Sequence, residues 1–389
     1  MSESRRGPRV TLVTSSLGAG GAERALTLVA EGLQSLGYGT TVITVRDRRR
    51  DFYELAAGIT RVPAGPRVRT DIRWFDLWGQ AQRLRAIRSI IMKTNPDVLI
   101  SFQDGVNELV LLSCMGAPFV KLISCQNDIS QHRHRNRRWE AARRLVYPLA
   151  DRVVFLDEKQ AEYAQRRHPR WRCGGIPNPI PLADIEKGMS VPPDPPLPAG
   201  CRDFISAMGR LAPQKGFDLL IKAFTRMANR DRLHLVIIGD GAEKDSLRSF
   251  AGELGVADRV LFTGLLANPF AVISRSRVFA FSSRYEGQGL ALIEAMACGV
   301  AAVSFDCPSG PGLVIESGRN GLLVAREDVD AMASAIDGLV DDPDKAAMLA
   351  RSGEKTARSY STERIARAWH GLIQSFLTPG PGGELEHSG

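Results

Sequence analysis

Two short stretches carry residue types suited to a ligand with both phosphates and hydroxyls. In Gly209-Arg210-Leu211-Ala212-Pro213-Gln214-Lys215-Gly216 an arginine and a lysine stand between two glycines. An arginine fork grips phosphate oxygens through parallel hydrogen bonds, and lysine acts on them as a point charge. In Glu286-Gly287-Gln288-Gly289-Leu290 a carboxylate sits in a glycine-containing turn, and Glu294 follows eight residues after Glu286. Carboxylates accept hydrogen bonds from sugar hydroxyls in pairs. Gly287 and Gly289 allow close approach to the backbone. Free amides at a helix start near Leu290 favour an anion. Each stretch also has a plainer reading. The cations could be solvated in a surface turn, and the two acids could be a helix cap and a helix-surface glutamate. Spacing alone leaves both open.

The elements around these stretches are strand–turn–helix units. Phe204–Met208 reads as a strand before Arg210, and Gly216–Ala228 as the helix after Lys215. Val278–Phe281 reads as a buried strand before Glu286. Leu290–Ala297 reads as the following helix, ended by Gly299. The same alternation runs through the chain, which argues for parallel α/β architecture. In the first half, Val10–Thr14 is a strand, Gly18-Ala19-Gly20-Gly21 a turn, Ala22–Leu36 a helix and Thr40–Val45 a strand. Asp76–Met92 is helical, and Asp97–Ser101, Phe119–Ser124 and Arg152–Phe155 are strands. The glycine turn lacks the third glycine of a dinucleotide fingerprint, because position 23 is Glu. In the second half, Leu233–Ile238, Arg259–Phe262 and Ala301–Ser304 are further strands. Val329–Val340, Pro343–Tyr360 and Thr362–Phe376 are helices. Prolines around Asn178 and in Val191–Pro198 break the pattern and read as a linker. The expected organisation is a Rossmann-like domain over 1–178, a Pro-rich hinge over 179–200 and a second Rossmann-like domain over 201–360. A C-terminal helix over 361–377 packs back on the first domain, and a disordered tail covers 378–389.

The residues Glu286-Gly287, Glu294-Ala295-Met296-Ala297-Cys298-Gly299 and the strand after them resemble the signature of the family 4 retaining glycosyltransferases of GT-B fold. That resemblance spans nearly the whole chain. It implies two doubly wound domains facing across a cleft, and transfer of a hexosyl or N-acetylhexosaminyl group from a nucleotide diphosphate sugar without metal. It implies that Arg210, Lys215 and Glu286 are catalytic. Gly18, Gly20, Gly209, Gly264, Leu265, Gly287, Gln288, Gly289, Leu290 and Glu294 would hold the donor. Gly21, Gln126 and Asn127 would lie on the acceptor side. Asp306-Cys307-Pro308-Ser309-Gly310-Pro311 and Asn320–Val324 resemble a subgroup using UDP-sugars for surface or lipid-linked glycans. The chain departs from the family at Ser124-Cys125-Gln126-Asn127-Asp128, where related sequences often carry a histidine. No cofactor is implied, since the nucleotide sugar is a substrate.

Composition bounds the remaining choices. The 389 residues favour two domains, and no apolar run approaches the ~18 residues of a membrane span. No signal peptide is legible at the N-terminus, and six cysteines without a C-x-x-C pair suit a cytoplasmic chain with free thiols. The net charge of +8 concentrates in the first half, above all in Arg133–Arg144. No nucleic-acid-reading motif accompanies it. The stretch reads either as a solvated basic face or as a contact with an anionic membrane at the cytoplasmic side. A nucleotide-sugar-binding scaffold without turnover is the other functional class the sequence allows.

Overall fold

The computed structural model describes residues 7–46, 51–65, 77–127 and 137–378. The chain divides into two units, 1–179 with 362–389, and 180–361.

The first unit holds a parallel seven-stranded sheet ordered β3-β2-β1-β4-β5-β6-β7. Its strands are β1 (Arg9–Thr14), β2 (Gly39–Thr44), β3 (Thr60–Pro63), β4 (Val98–Phe102), β5 (Val120–Ser124), β6 (Arg152–Phe155) and β7 (Cys173–Gly175). Helices α1 (Gly21–Ser35), α2 (Leu77–Thr94), α3 (Asp104–Ser113), α4 (Arg137–Val146) and α5 (Glu158–Arg167) connect them. Every residue of β4 is buried, as expected of a central parallel strand covered on both faces.

The second unit begins with α6 (Leu182–Met189) and holds a parallel sheet ordered β10-β9-β8-β11-β12-β13. These strands are β8 (Phe204–Met208), β9 (His234–Ile238), β10 (Val260–Gly264), β11 (Phe279–Phe281), β12 (Ala302–Phe305) and β13 (Leu322–Val324). Helices α7 (Phe217–Arg226), α8 (Lys244–Glu253), α9 (Phe270–Ile273), α10 (Leu290–Ala297), α11 (Pro311–Val314), α12 (Val329–Asp341) and α13 (Pro343–Ala357) cover both faces. One core lies under α7, α8 and α12, and the other around α9 and α10.

The last helix, α14 (Thr362–Leu377), belongs to the first unit. Ile365, Ala366, Trp369 and Ile373 form its buried stripe at helical spacing. Trp369 enters the core beside Phe102, ring centroids 6.1 Å apart. Gly32 on α1 makes the close packing possible, because a Cβ there would stand 2.5 Å from that of Ala366. Tyr38 adds a polar tie, its hydroxyl 2.8 Å from His370 Nδ1 and accepting from Gln374 Nε2 at 3.0 Å.

The stretch expected to be a hinge is built differently. Leu182, Ile185 and Met189 recur at helical spacing and make α6, which packs into the second unit together with Ile180. Ile180 also bridges to Ser361. The surrounding prolines mask this short apolar period in the sequence. Residues 190–200 are irregular chain inside the second unit, not a connection between units. Of the basic stretch, residues 133–136 lie outside the described residues. So do Asp128, His132, His134 and 379–389 of the tail.

Candidate active site

In both sheets the strand order reverses at one point, between β1 and β4 and between β8 and β11. Loops leaving the carboxyl ends of such a strand pair diverge and open a crevice, the usual ligand site of doubly wound sheets. In the second unit these loops are Gly209–Gly216 and Ser282–Gly289, the same two stretches whose residue types suit phosphates and hydroxyls.

The chain after β8 runs into a single 3-10 turn, Pro213–Lys215, ended by Gly216 in the left-handed region at φ 62°. A side chain at Gly216 would collide with the Ser282 carbonyl, its Cβ 2.2 Å from the oxygen. The loop after β11 therefore lies directly against this turn. Lys215 Nζ donates to Glu286 Oε1 at 2.5 Å, and Ser283 Oγ donates to the same oxygen at 2.6 Å. The ammonium also lies 5.6 Å from the centre of the Phe281 ring. Lys215 and Glu286 thus form a largely buried ion pair, with side chains 18% and 8% exposed. Arg210, by contrast, is exposed and makes no hydrogen bond or ion pair with the described residues. One cation is held in place while the other stays available.

Gly289, at φ 84°, turns the chain into α10 and leaves its first amides without a side-chain cap. Gln288 and Glu294 are both buried beside this helix start or within it. The loop after β12 closes in on Glu286. Burial first, and the nearby Glu286 carboxylate second, push the Cys307 thiol up to about 12. At the far edge, the Gly239 amide donates to the Gly264 carbonyl at 2.9 Å, and Leu265 next to it is 55% exposed.

Arg284 is not singled out by the sequence pattern, although it lies inside the same loop as Glu286. Its guanidinium donates to both carboxylate oxygens of Asp218, at 2.8 and 2.7 Å, and to the Pro213 carbonyl at 2.7 Å. Burial pushes the Asp218 carboxyl up, but the Arg284 hydrogen bonds and charge, with the backbone amides of Leu219 and Asp218, together outweigh it and leave the group below its ordinary value. The spacing of one segment gives no signal for a pair made between two loops.

In the first unit, Gly18, Gly20 and Gly21 lie between β1 and α1, and Gln126 and Asn127 follow β5. Gln126 is tied into the fold by its amide. It is buried, its Nε2 donates to Ser124 Oγ at 2.8 Å, and its Oε1 accepts from Asn178 Nδ2 at 2.7 Å. Both ends of the amide are engaged in fastening the Asn178 segment. Asn127 is exposed, and its Nδ2 lies 3.4 Å from Asp104 Oδ2. Two further groups lie at this edge, Gln103 without a sequence signal and Arg143, from the basic stretch but buried here and not part of a solvated face. Gln103, just past β4, holds the non-glycine angle φ 77° and donates to Glu23 Oε1 at 2.9 Å. Arg143 on α4 bridges Asp104 at 2.9 Å and Glu108 at 3.3 Å. Burial, and then Asp104, raise the Glu108 carboxyl to about 7 against the pull of Arg143. Among the described residues, no group of three or more His, Cys, Asp or Glu could hold a metal ion.

Fold and site define an α/β protein of GT-B type with a polar crevice at the switch point of its second unit. The family model Glycosyltransferase Family 4 matches residues 19–184, and Glycosyl transferases group 1 matches residues 197–356. The chain carries both of these glycosyltransferase domains, which together account for most of its length. It is 34% identical over 228 residues to the N-acetylgalactosamine-N,N'-diacetylbacillosaminyl-diphospho-undecaprenol 4-alpha-N-acetylgalactosaminyltransferase of Campylobacter jejuni, covering 57% of this chain and 60% of that one. The chain therefore spans about three-fifths of the length of that relative. A second Campylobacter jejuni protein is similar over 94% of this chain and 98% of its own, at 24% identity. It is named as a GalNAc-alpha-(1->4)-GalNAc-alpha-(1->3)-diNAcBac-PP-undecaprenol alpha-1,4-N-acetyl-D-galactosaminyltransferase. Among solved structures, sucrose-phosphate synthase from Thermosynechococcus elongatus superposes with TM-score 0.79 at 21% identity, over 96% of this chain and all of that one. Anabaena HepE in complex with UDP and glucose superposes with TM-score 0.75 at 18% identity, over 95% of this chain and all of that one.

Proposed function

We propose that the chain is a retaining, metal-independent transferase that moves a hexosyl or N-acetylhexosaminyl group from a UDP-sugar to a hydroxyl of a glycan or lipid-linked glycan. The observation that carries this reading is the Lys215–Glu286 pair beside the unpaired Arg210, at the strand-order reversal of the second unit. The names of the two Campylobacter relatives motivate the acceptor class and the N-acetylhexosamine. In the reaction, the bond from the anomeric carbon to the β-phosphate oxygen breaks, and a bond to the acceptor oxygen forms on the same face. The acceptor proton passes to the departing phosphate. Charge builds on the leaving diphosphate, and preorganised positive groups lower the barrier by meeting it there. Arg210, Lys215 and the first amides of α10 supply that charge. Glu286 takes hydroxyls of the transferred sugar, and Glu294 those of the ribose. Gly209, Gly264, Leu265, Gly287, Gln288 and Gly289 shape the donor site. In the first unit, Gly18 and Gly20 are assigned to the donor, and Gly21, Gln126 and Asn127 to the acceptor.

Lys215→Ala and Arg210→Ala should each lower turnover at least ~100-fold, the scale of losing one oriented charge at a developing oxyanion. The exposed Arg210 should go without a change in the melting curve, whereas Lys215→Ala should also lower the melting temperature, because Glu286 then stays buried without its cation. Near-normal transfer by either variant would end the assignment. A scaffold that binds the donor without turnover is the second reading, and the intact charge set disfavours it. Consumption of a UDP-sugar in the presence of a polyprenyl-diphosphate-linked acceptor separates the two. Activity that persists in EDTA is the companion check on metal independence. No described helix is long and apolar enough to cross a membrane. Docking of the basic first unit at an anionic cytoplasmic leaflet completes the proposal, and co-sedimentation independent of anionic lipid content would remove it.

A further inference from the structure

The turn that ends in Lys215 has three carbonyls, and the loop after β11 takes all three. The Pro213 carbonyl accepts from the Arg284 guanidinium at 2.7 Å, the Gln214 carbonyl from the Arg284 amide at 2.8 Å and the Lys215 carbonyl from Ser282 Oγ at 2.9 Å. The Gln214 side chain returns one bond, its Nε2 donating to the Tyr285 carbonyl at 3.0 Å. Two of the three backbone ties thus come from one residue. The direction of the Arg284 side chain is set by its two-pronged pairing with Asp218 in the first turn of α7. A fork held at both prongs has a fixed plane, which a single lysine-like contact would not have.

A three-residue 3-10 turn followed by a left-handed glycine has little rigidity of its own. Lys215 is its last residue, and the ammonium is drawn toward Glu286 wherever the backbone lets it reach. The height of the turn in the crevice therefore decides whether the ammonium can meet a phosphate oxygen as well. We infer that Arg284 is a positioning residue for the transfer step, fixing the Pro213–Lys215 turn through Pro213 and Asp218 so that Lys215 faces both Glu286 and the donor diphosphate. This rests on the function proposed above and adds to it a residue that touches no substrate.

A double-mutant cycle tests it, with turnover, donor affinity and melting temperature read on the full chain. Arg284→Ala should lower turnover by ~10- to 100-fold, the scale of a reacting group displaced by about an ångström. The retained Arg284 amide and Ser282 bonds keep the loop folded. In the Lys215→Ala background the same change should alter turnover less than about twofold, because the group it positions is already gone. Arg284→Lys should recover only part of the loss, for want of the fork. An equal loss from Arg284→Ala in both backgrounds, or full turnover in the single variant, would overturn the inference. Where Arg284→Ala melts too early to assay, Asp218→Asn weakens the fork while keeping the arginine. The same cycle then applies: a loss confined to the Lys215 background supports the inference, and an equal loss in both backgrounds overturns it. Lys215→Ala alone reports on the underlying function. Normal turnover there would refute the transferase mechanism, whereas lost turnover with additive effects would refute only the role of Arg284.

Discussion

Lys215 is held by a partner that the proposed transfer would ask it to share. Its pair with Glu286 balances two charges that burial would otherwise penalise, and an arriving diphosphate must then compete for the ammonium. Charge balance also shapes the buried cluster at the carboxyl edge of the first sheet. There Arg143 serves both Asp104 and Glu108, and Glu108 keeps its proton to about pH 7. The folded state therefore binds more protons than the unfolded chain between the ordinary carboxyl value of 4.5 and about 7. The stability contributed by Glu108 therefore falls as pH rises through that window, while His168, held below its ordinary value by burial, works in the opposite sense. Glu108→Gln should remove this contribution to the slope and exceed the parent at pH 8 by ~1–3 kcal/mol, less than the full linkage value because the amide gives Arg143 a weaker acceptor than the carboxylate. Melting curves from pH 5 to 8 check it, and identical slopes in parent and variant would contradict it. The placement of Arg210, Lys215 and Glu286 between strand and helix was legible because each lies in one strand–turn–helix segment whose local chemistry is distinctive. Arg284 and Asp218 were not, because they meet only when two loops 66 positions apart in sequence are brought together. Gln126 shows the same limit: its type suits a ligand, but its bond with Asn178 joins positions 52 apart and leaves no mark in the sequence.

Elements with a strong apolar period are legible nearly as they stand. Leu290–Ala297 matches α10 at both ends, and the last helix differs by one residue at its C-terminal end. Short elements are not. The strands Thr60–Pro63, Cys173–Gly175 and Leu322–Val324 have too few residues to show an alternation. Helix α6 is hidden by the prolines around it. The seam between α1 and α14 offers the sharpest test at this scale. Alanine at Gly32 would gain up to ~1 kcal/mol of helix propensity. The clash with Ala366 works against that gain, and overpacking costs about 1–3 kcal/mol. Gly32→Ala should therefore destabilise the first unit by ~1–2 kcal/mol, and adding Ala366→Gly should restore most of the loss. A stabilised single variant in denaturant melts would mean that α14 does not press on α1 as described.

At the scale of the whole molecule, the chain completes six strands in its second unit and then returns α14 to the first. The resemblance in the motifs anticipates the pair of doubly wound sheets and the returning helix, whereas the prolines mislead about where the second unit starts. Each sheet carries its own reversal of strand order, so each presents a ligand site at its carboxyl edge. The proposed function rests on the charge at the second of these edges. Its most direct measurement is a calorimetric titration of UDP and of UMP into the parent chain and the Arg210→Ala, Lys215→Ala double variant. UDP should bind at least ~30-fold more tightly than UMP to the parent, about 2 kcal/mol, and the double variant should lose that preference while still binding UMP. Equal affinities for UDP and UMP in the parent, or a preference that survives removal of both cations, would contradict the claim that this crevice exists to hold a diphosphate.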